Sequence, residues 1–121
     1  MDYDSTLKFL YQNLPMFQRS GKAAYKGNLD NTLALDDYLG KPHTNYKTIH
    51  IAGTNGKGSV SHMVASVLQS AGYKTGLYTS PHLLDFRERI RINGTMIPEH
   101  RVTEFVEKIT SQVKKIQPSF F

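Results

Sequence analysis

Within seven residues, Gly53 to Ser59, the chain places three glycines, a threonine, an asparagine, a lysine and a serine in the order GTNGKGS. A loop that cradles phosphate needs consecutive backbone N–H groups turned inward, and glycine permits the required backbone angles and close approach. It also needs a helix N-terminus behind it, a lysine for the outer phosphates, and a hydroxyl near the magnesium ion that accompanies them. Gly53, Gly56 and Gly58 meet the first need, Lys57 supplies the charge, and Ser59 supplies the hydroxyl. The stretch departs from the common pattern G-x-x-x-x-G-K-[ST] at two places: Ile51 stands where glycine is usual, and Gly58 directly follows the lysine. The bland alternative is a turn that merely joins a strand to a helix. A dinucleotide loop fits less well, because G-x-G-x-x-G spacing is absent and a mid-loop lysine is foreign to it.

The elements around the loop must aim it. Lys47 to Ala52 reads as a strand. Ser59 to Ala71 reads as a helix with Val60, Met63, Val64, Val67, Leu68 and Ala71 at helical spacing, ended by Gly72. Tyr73 to Ser80 reads as a second strand, so residues 47–79 form a βαβ unit, which predicts parallel pairing. Arg89 to Asn93 alternates charged and apolar residues and predicts a strand with one wet face, turned by Gly94. Pro98 and Glu99 open a helix to Ile116 with Val102, Phe105, Val106, Ile109 and Val113 inward. Upstream, Asp4 and Ser5 cap a helix to about Asn13, with Leu7, Leu10, Tyr11 and Leu14 on one side. Asp30 or Asn31 caps another, with Leu33, Leu35 and Leu39 as its apolar face, stopped by Gly40 and Pro42. The fold class expected is α/β: a phosphate-loop-type parallel sheet with flanking helices, too few strands to complete one.

Bulk properties narrow the options. The chain has 121 residues, 39% hydrophobic and 21% charged, which suits a folded globular protein. Its formal charge of +5, from 15 basic and 10 acidic residues, is mild. The bases gather only at Arg87, Arg89, Arg91 and at Lys114-Lys115, which does not make a nucleic-acid surface. Without cysteine there are no disulfides, thiolate metal sites or cysteine nucleophiles. The N-terminus lacks a signal-peptide pattern, and no apolar run approaches the ~20 residues of a membrane span. A cytoplasmic location without membrane association is expected. His43, His50, His62 and His100 show no metal-ligand spacing.

Two motifs together, HIAGTNGKGS (His50 to Ser59) and YTSPHLLDFRERIRING (Tyr78 to Gly94), resemble folylpolyglutamate synthase/dihydrofolate synthase, a branch of the Mur ligase family. In that branch glycine and then serine or threonine follow the lysine, as Gly58 and Ser59 do here. The resemblance implies an ATP-dependent ligase that joins L-glutamate to dihydropteroate or folate through an acyl phosphate. It implies ATP and Mg²⁺ as cofactors, small-molecule partners only, and a monomer when full length. Carried residue by residue, Gly53, Thr54, Asn55, Gly56, Lys57, Gly58 and Ser59 would wrap the ATP phosphates, with Lys57 catalytic on the β- and γ-phosphates. Ser80 matches the serine that ligates magnesium; by itself it reads as a turn hydroxyl before proline. His82 is a candidate substrate contact or a solvated loop residue. Arg87 and Arg89 read as a wet strand face or as partners of anionic glutamate tails, with Glu88 pairing to either. Tyr25, Lys26, Gly27 and Asn28 fall where related enzymes meet the pteridine end.

Family enzymes are much longer than this chain. Residues 1–46 are expected to be an N-terminal helical and substrate-loop segment, and 47–121 the start of the ATP-binding domain. The rest of that domain, its acidic magnesium ligand and the C-terminal glutamate-binding domain have no counterpart, so the chain is expected to be an N-terminal fragment inactive alone. A different Mur-type ligase and a standalone nucleotide-binding module without ligase activity are the competing readings.

Overall fold

The computed structural model describes residues 1–14 and 29–118. The chain divides into two compact units, one of Met1–Thr48 with Thr103–Phe121, the other of Ile49–Val102.

In the first unit, helix α1 (Tyr3–Asn13) begins where the Asp2 carboxylate accepts the backbone N–H of Ser5, one of the donors a helix start leaves unpaired. Helix α2 spans Asp30–Tyr38, and a single 3₁₀ turn follows at Pro42–Asn45. Gly40, at φ 78°, ends α2 as expected. Helix α4 (Glu99–Ile116) starts in the second unit and continues into the first. Among the described residues, Leu10 and Leu14 from the end of α1, and Val106, Ile109 and Val113 from α4, are the buried apolar side chains of this unit. The α4 residues recur at the three-to-four spacing that puts them on one stripe. Val102 is also buried, but Phe105 is 47% exposed and does not join the stripe as expected. It lies one position before Val106, about 100° around the helix. Thr6, fully buried, donates its hydroxyl to the Asp2 carbonyl at 2.7 Å, which satisfies its polar atom.

The second unit carries helix α3 (Lys57–Ser70) and strands β1 (Gly76–Tyr78), β2 (Ile90–Ile92) and β3 (Thr95–Met96), with a 3₁₀ turn at Phe86–Arg89 before β2. The sheet order is β1-β2-β3 and both pairings are antiparallel. Asn93 and Gly94, at φ 49° and 80°, form the two-residue hairpin that sets Ile92 opposite Thr95. The Asn93 side chain accepts the Thr75 N–H at 2.9 Å, and Gln69 of α3 donates to the Asn93 carbonyl at 3.0 Å, tying the helix end to the hairpin.

The chain is α/β as expected, but three local expectations are corrected. Lys47 to Ala52 forms no strand among the described residues, so the parallel βαβ pairing is not made. A strand exists only through a neighbour's hydrogen bonds, and β1 takes β2 as its partner instead. Helix α3 buries none of its residues, and Val60, Met63 and Val67 stand 44%, 61% and 68% exposed, because the described residues offer no second layer over that stripe. Arg89 to Asn93 does not alternate: Arg89 is buried, Ile90 and Arg91 are half-buried, and Ile92 is 45% exposed.

Candidate functional site

Gly53 to Gly56 form the loop entering α3. Gly53 has φ 151° and Gly56, the helix N-cap, has φ 79°, both in the range that favours glycine. A methyl group at either would meet nothing within 4 Å, so backbone conformation, not crowding, calls for glycine. The helix starts two residues earlier than expected. Lys57 is its first residue, and Gly58 and Ser59 complete the opening turn. No side-chain cap bond is made to this turn and it holds no acidic residue, so the positive end of a 14-residue helix meets no negative charge from its own first turn.

Lys57 folds back over the loop. Its Nζ donates to the Gly53 carbonyl at 2.6 Å and to the Thr54 carbonyl at 3.3 Å. Those two bonds hold the ammonium at the loop mouth, beside the helix N-terminus. Gly53, Thr54, Asn55, Gly56, Lys57, Gly58 and Ser59 thus lie together in one exposed loop and the first turn of α3. Tyr25, Lys26, Gly27 and Asn28 lie outside the described residues.

Ser80 follows β1, exposed, and its peptide bond to Pro81 is cis. The next residues are fastened by charge rather than by burial. Leu83 and Leu84 are 90% and 95% exposed and anchor nothing. Instead the Glu88 carboxylate accepts the backbone N–H groups of Leu83, Leu84 and Asp85 at 3.0, 2.9 and 2.7 Å. These bonds favour the ionised form and hold its pKa down at about 2. Asp85 completes a reciprocal cap on the Phe86–Arg89 turn by accepting the Arg87 N–H. Glu88 therefore pairs with neither arginine. Arg87 forks onto Asp85, with Nη2 to Oδ2 at 2.7 Å.

Arg89 is neither a wet face nor an open partner for a glutamate tail: it is 3% exposed. Its Nε donates to Nδ1 of His82 at 2.8 Å, and its guanidinium lies 5.8 Å from the centroid of the Phe86 ring. His82 and Phe86 meet edge to face at 5.9 Å. With Nδ1 accepting, neutral His82 carries its proton on Nε2. Burial, and then the Arg89 charge, lower its pKa. Glu88 as a loop anchor has one signal in the sequence, the spacing D-x-x-E from Asp85 to Glu88, which announces a reciprocal cap.

No protein-family model matches the chain. Individual proteins do. It is 39% identical over 106 residues to a probable bifunctional folylpolyglutamate synthase/dihydropteroate synthase of Haloferax volcanii, covering 88% of this chain and 12% of that protein. The folylpolyglutamate synthase of Thermotoga maritima superposes with a TM-score of 0.85 at 42% identity, over 98% of this chain and 27% of that one. A folylpolyglutamate synthase solved with AMPPCP and folate gives 0.82 at 33% identity, over 97% and 27%. The chain is homologous to the N-terminal part of the folylpolyglutamate/dihydrofolate synthases. It spans about an eighth of the Haloferax protein and about a quarter of the solved enzymes. Among the described residues no helix is long and apolar enough to cross a membrane, and no group of three or more His, Cys, Asp or Glu is placed to hold a metal ion.

Proposed function

We propose that this chain is the nucleotide-binding N-terminal part of an ATP-dependent ligase that adds L-glutamate to dihydropteroate or a folate. The observation that carries the reading is the Gly53–Ser59 cradle, with Lys57 Nζ held at its mouth by the Gly53 carbonyl. The complex of a homologous synthase with AMPPCP and folate supports it.

The chemistry suits such a cradle. A carboxylate is a poor acyl donor. An oxygen of the folate carboxylate attacks the γ-phosphorus, the bond to the β–γ bridging oxygen breaks, and ADP leaves. The glutamate amine, having lost its proton to solvent or a base, then attacks the acyl carbon and phosphate departs. The protein positions the groups and offsets charge. Lys57 and the N–H groups of the first α3 turn take the β- and γ-phosphate charge, and Gly53 to Gly56 let the backbone come close.

When bound, Mg²⁺ would supply positive charge that offsets the phosphates. The described residues offer it hydroxyls, from Ser59 and Ser80, and no carboxylate cluster. That set fits an ion held mainly by the nucleotide and by water, not a free ion. The ligase reading is tested by ADP release that depends on glutamate and on dihydropteroate or folate, with the protein purified as its own cells make it. Mg²⁺-ATP binding without any such release would leave a nucleotide-binding module lacking ligase activity.

A further inference from the structure

We propose that Glu88 is a positioning residue: its carboxylate fixes the backbone of the Leu83–Asp85 loop and thereby the placement of Ser80 and His82 beside a magnesium–nucleotide complex. The second half rests on the nucleotide reading above.

A loop holds its shape by burying side chains or by satisfying backbone groups. The first route is closed here, since Leu83 and Leu84 are almost wholly in water. The second is concentrated in one carboxylate. Oε1 of Glu88 takes the Leu83 N–H, and Oε2 takes both the Leu84 and Asp85 N–H groups. Three successive amides turned toward one anion define the path of the chain on the C-terminal side of Ser80-Pro81-His82. The far side of that segment is held by the Thr79 N–H, which donates to the Arg89 carbonyl at 3.0 Å. Its side-chain fastener is the bond from Arg89 to His82. Glu88 and Arg89 are consecutive, so one turn of 3₁₀ helix grips the loop at its backbone and at its imidazole. Among these grips, that of Glu88 depends on a carboxylate that touches no candidate ligand group itself.

Glu88→Gln keeps the shape and removes one acceptor oxygen, so an NH₂ group must face at least one backbone N–H. The variant and wild-type chains are compared by amide hydrogen exchange and by ADP binding with and without Mg²⁺. Exchange at Leu83, Leu84 and Asp85 should accelerate at least about tenfold, with Val106 and Ile109 of α4 unchanged. Affinity for ADP with Mg²⁺ should fall about tenfold, while affinity without Mg²⁺ stays as in wild type. Equal weakening of both affinities would mark a general loss of structure and overturns the positioning role at the ligand. Unchanged protection of the three amides overturns the proposal. So does accelerated exchange with an unaltered Mg²⁺ contribution to binding. A wild-type chain that binds no ADP under either condition overturns the nucleotide reading, and with it the role at the ligand; the amide exchange then still decides whether Glu88 holds the loop.

Discussion

Arg89 reaches under the 3₁₀ turn to donate its Nε proton to Nδ1 of His82, at 2.8 Å. An imidazole that accepts from a guanidinium cannot gain a proton at that nitrogen without losing the bond and facing a like charge. Burial adds to the same preference for the neutral ring, and Glu88 and Asp85 oppose it only in part.

The His82 titration midpoint should accordingly lie below the ordinary 6.5 and rise in Arg89→Gln, read by NMR on the imidazole carbon protons. The sign for stability follows. Above about pH 6.5 the ring is neutral in both folded and unfolded chains and contributes no pH dependence. As pH falls below that value, the unfolded chain takes up the proton first and the folded state loses stability. Denaturation of His82→Asn should show a flatter dependence in that window than wild type. Equal slopes would mean that the bond does not hold the ring neutral.

Lys57 is the first residue of α3 and its ammonium caps loop carbonyls without being buried. Lys57→Ala should therefore change folding stability by no more than about 0.5 kcal/mol. Affinity for ATP should drop by about a hundredfold, because a charge at the phosphates is lost where the helix N-terminus alone remains. Isothermal titration checks the second statement and chemical denaturation the first. ATP affinity near that of wild type would remove Lys57 from the phosphates.

Gly56 and Gly58 look alike in the sequence and differ in the structure. Gly56 sits at φ 79°, so Gly56→Ala should cost about 1–2 kcal/mol of stability from backbone strain. Gly58 lies in the helical first turn with nothing within 4 Å of an added methyl, so Gly58→Ala should stabilise the chain by up to about 1 kcal/mol. If Gly58→Ala also weakens ATP binding, the space beside Gly58 belongs to the ligand. Thermal melts of the two variants, with and without ATP, separate the cases.

What was legible in the sequence was local. The Glu99–Ile116 helix carries its own periodic stripe after Pro98, and Gly72, at φ 91°, ends α3 through its own backbone freedom. The loop-to-helix junction at Gly56 and Lys57 was legible because its glycines and lysine lie close together in the chain. What depended on partners was not. Lys47 to Ala52 reads as a strand by composition, yet strand formation belongs to a pair of segments. Val60, Met63 and Val67 recur at helical spacing, yet burial requires a second surface. Arg89 sits in a charged–apolar alternation that suggests water. Its length instead lets the guanidinium turn beneath His82 and Phe86, a contact seven residues back that no period announces.

The magnesium requirement gives the last test of the site. Mg²⁺ dehydrates reluctantly and prefers oxygen ligands in octahedral array, usually phosphates, waters and one or two carboxylates. The described residues bring no carboxylate cluster. Hence the chain should bind no Mg²⁺ by itself at millimolar concentration, and should bind it together with ADP. Ser80, exposed two residues after β1, is the hydroxyl proposed for the ion. Ser80→Ala should raise the Mg²⁺ concentration needed for half-maximal ADP binding severalfold, because one coordinating oxygen is replaced by water at some cost in placement. The affinity without Mg²⁺ should not move, since Lys57 and the α3 N-terminus are intact. A Mg²⁺ titration that superposes on wild type would take Ser80 out of the metal shell and leave it as the hydroxyl of a turn before proline.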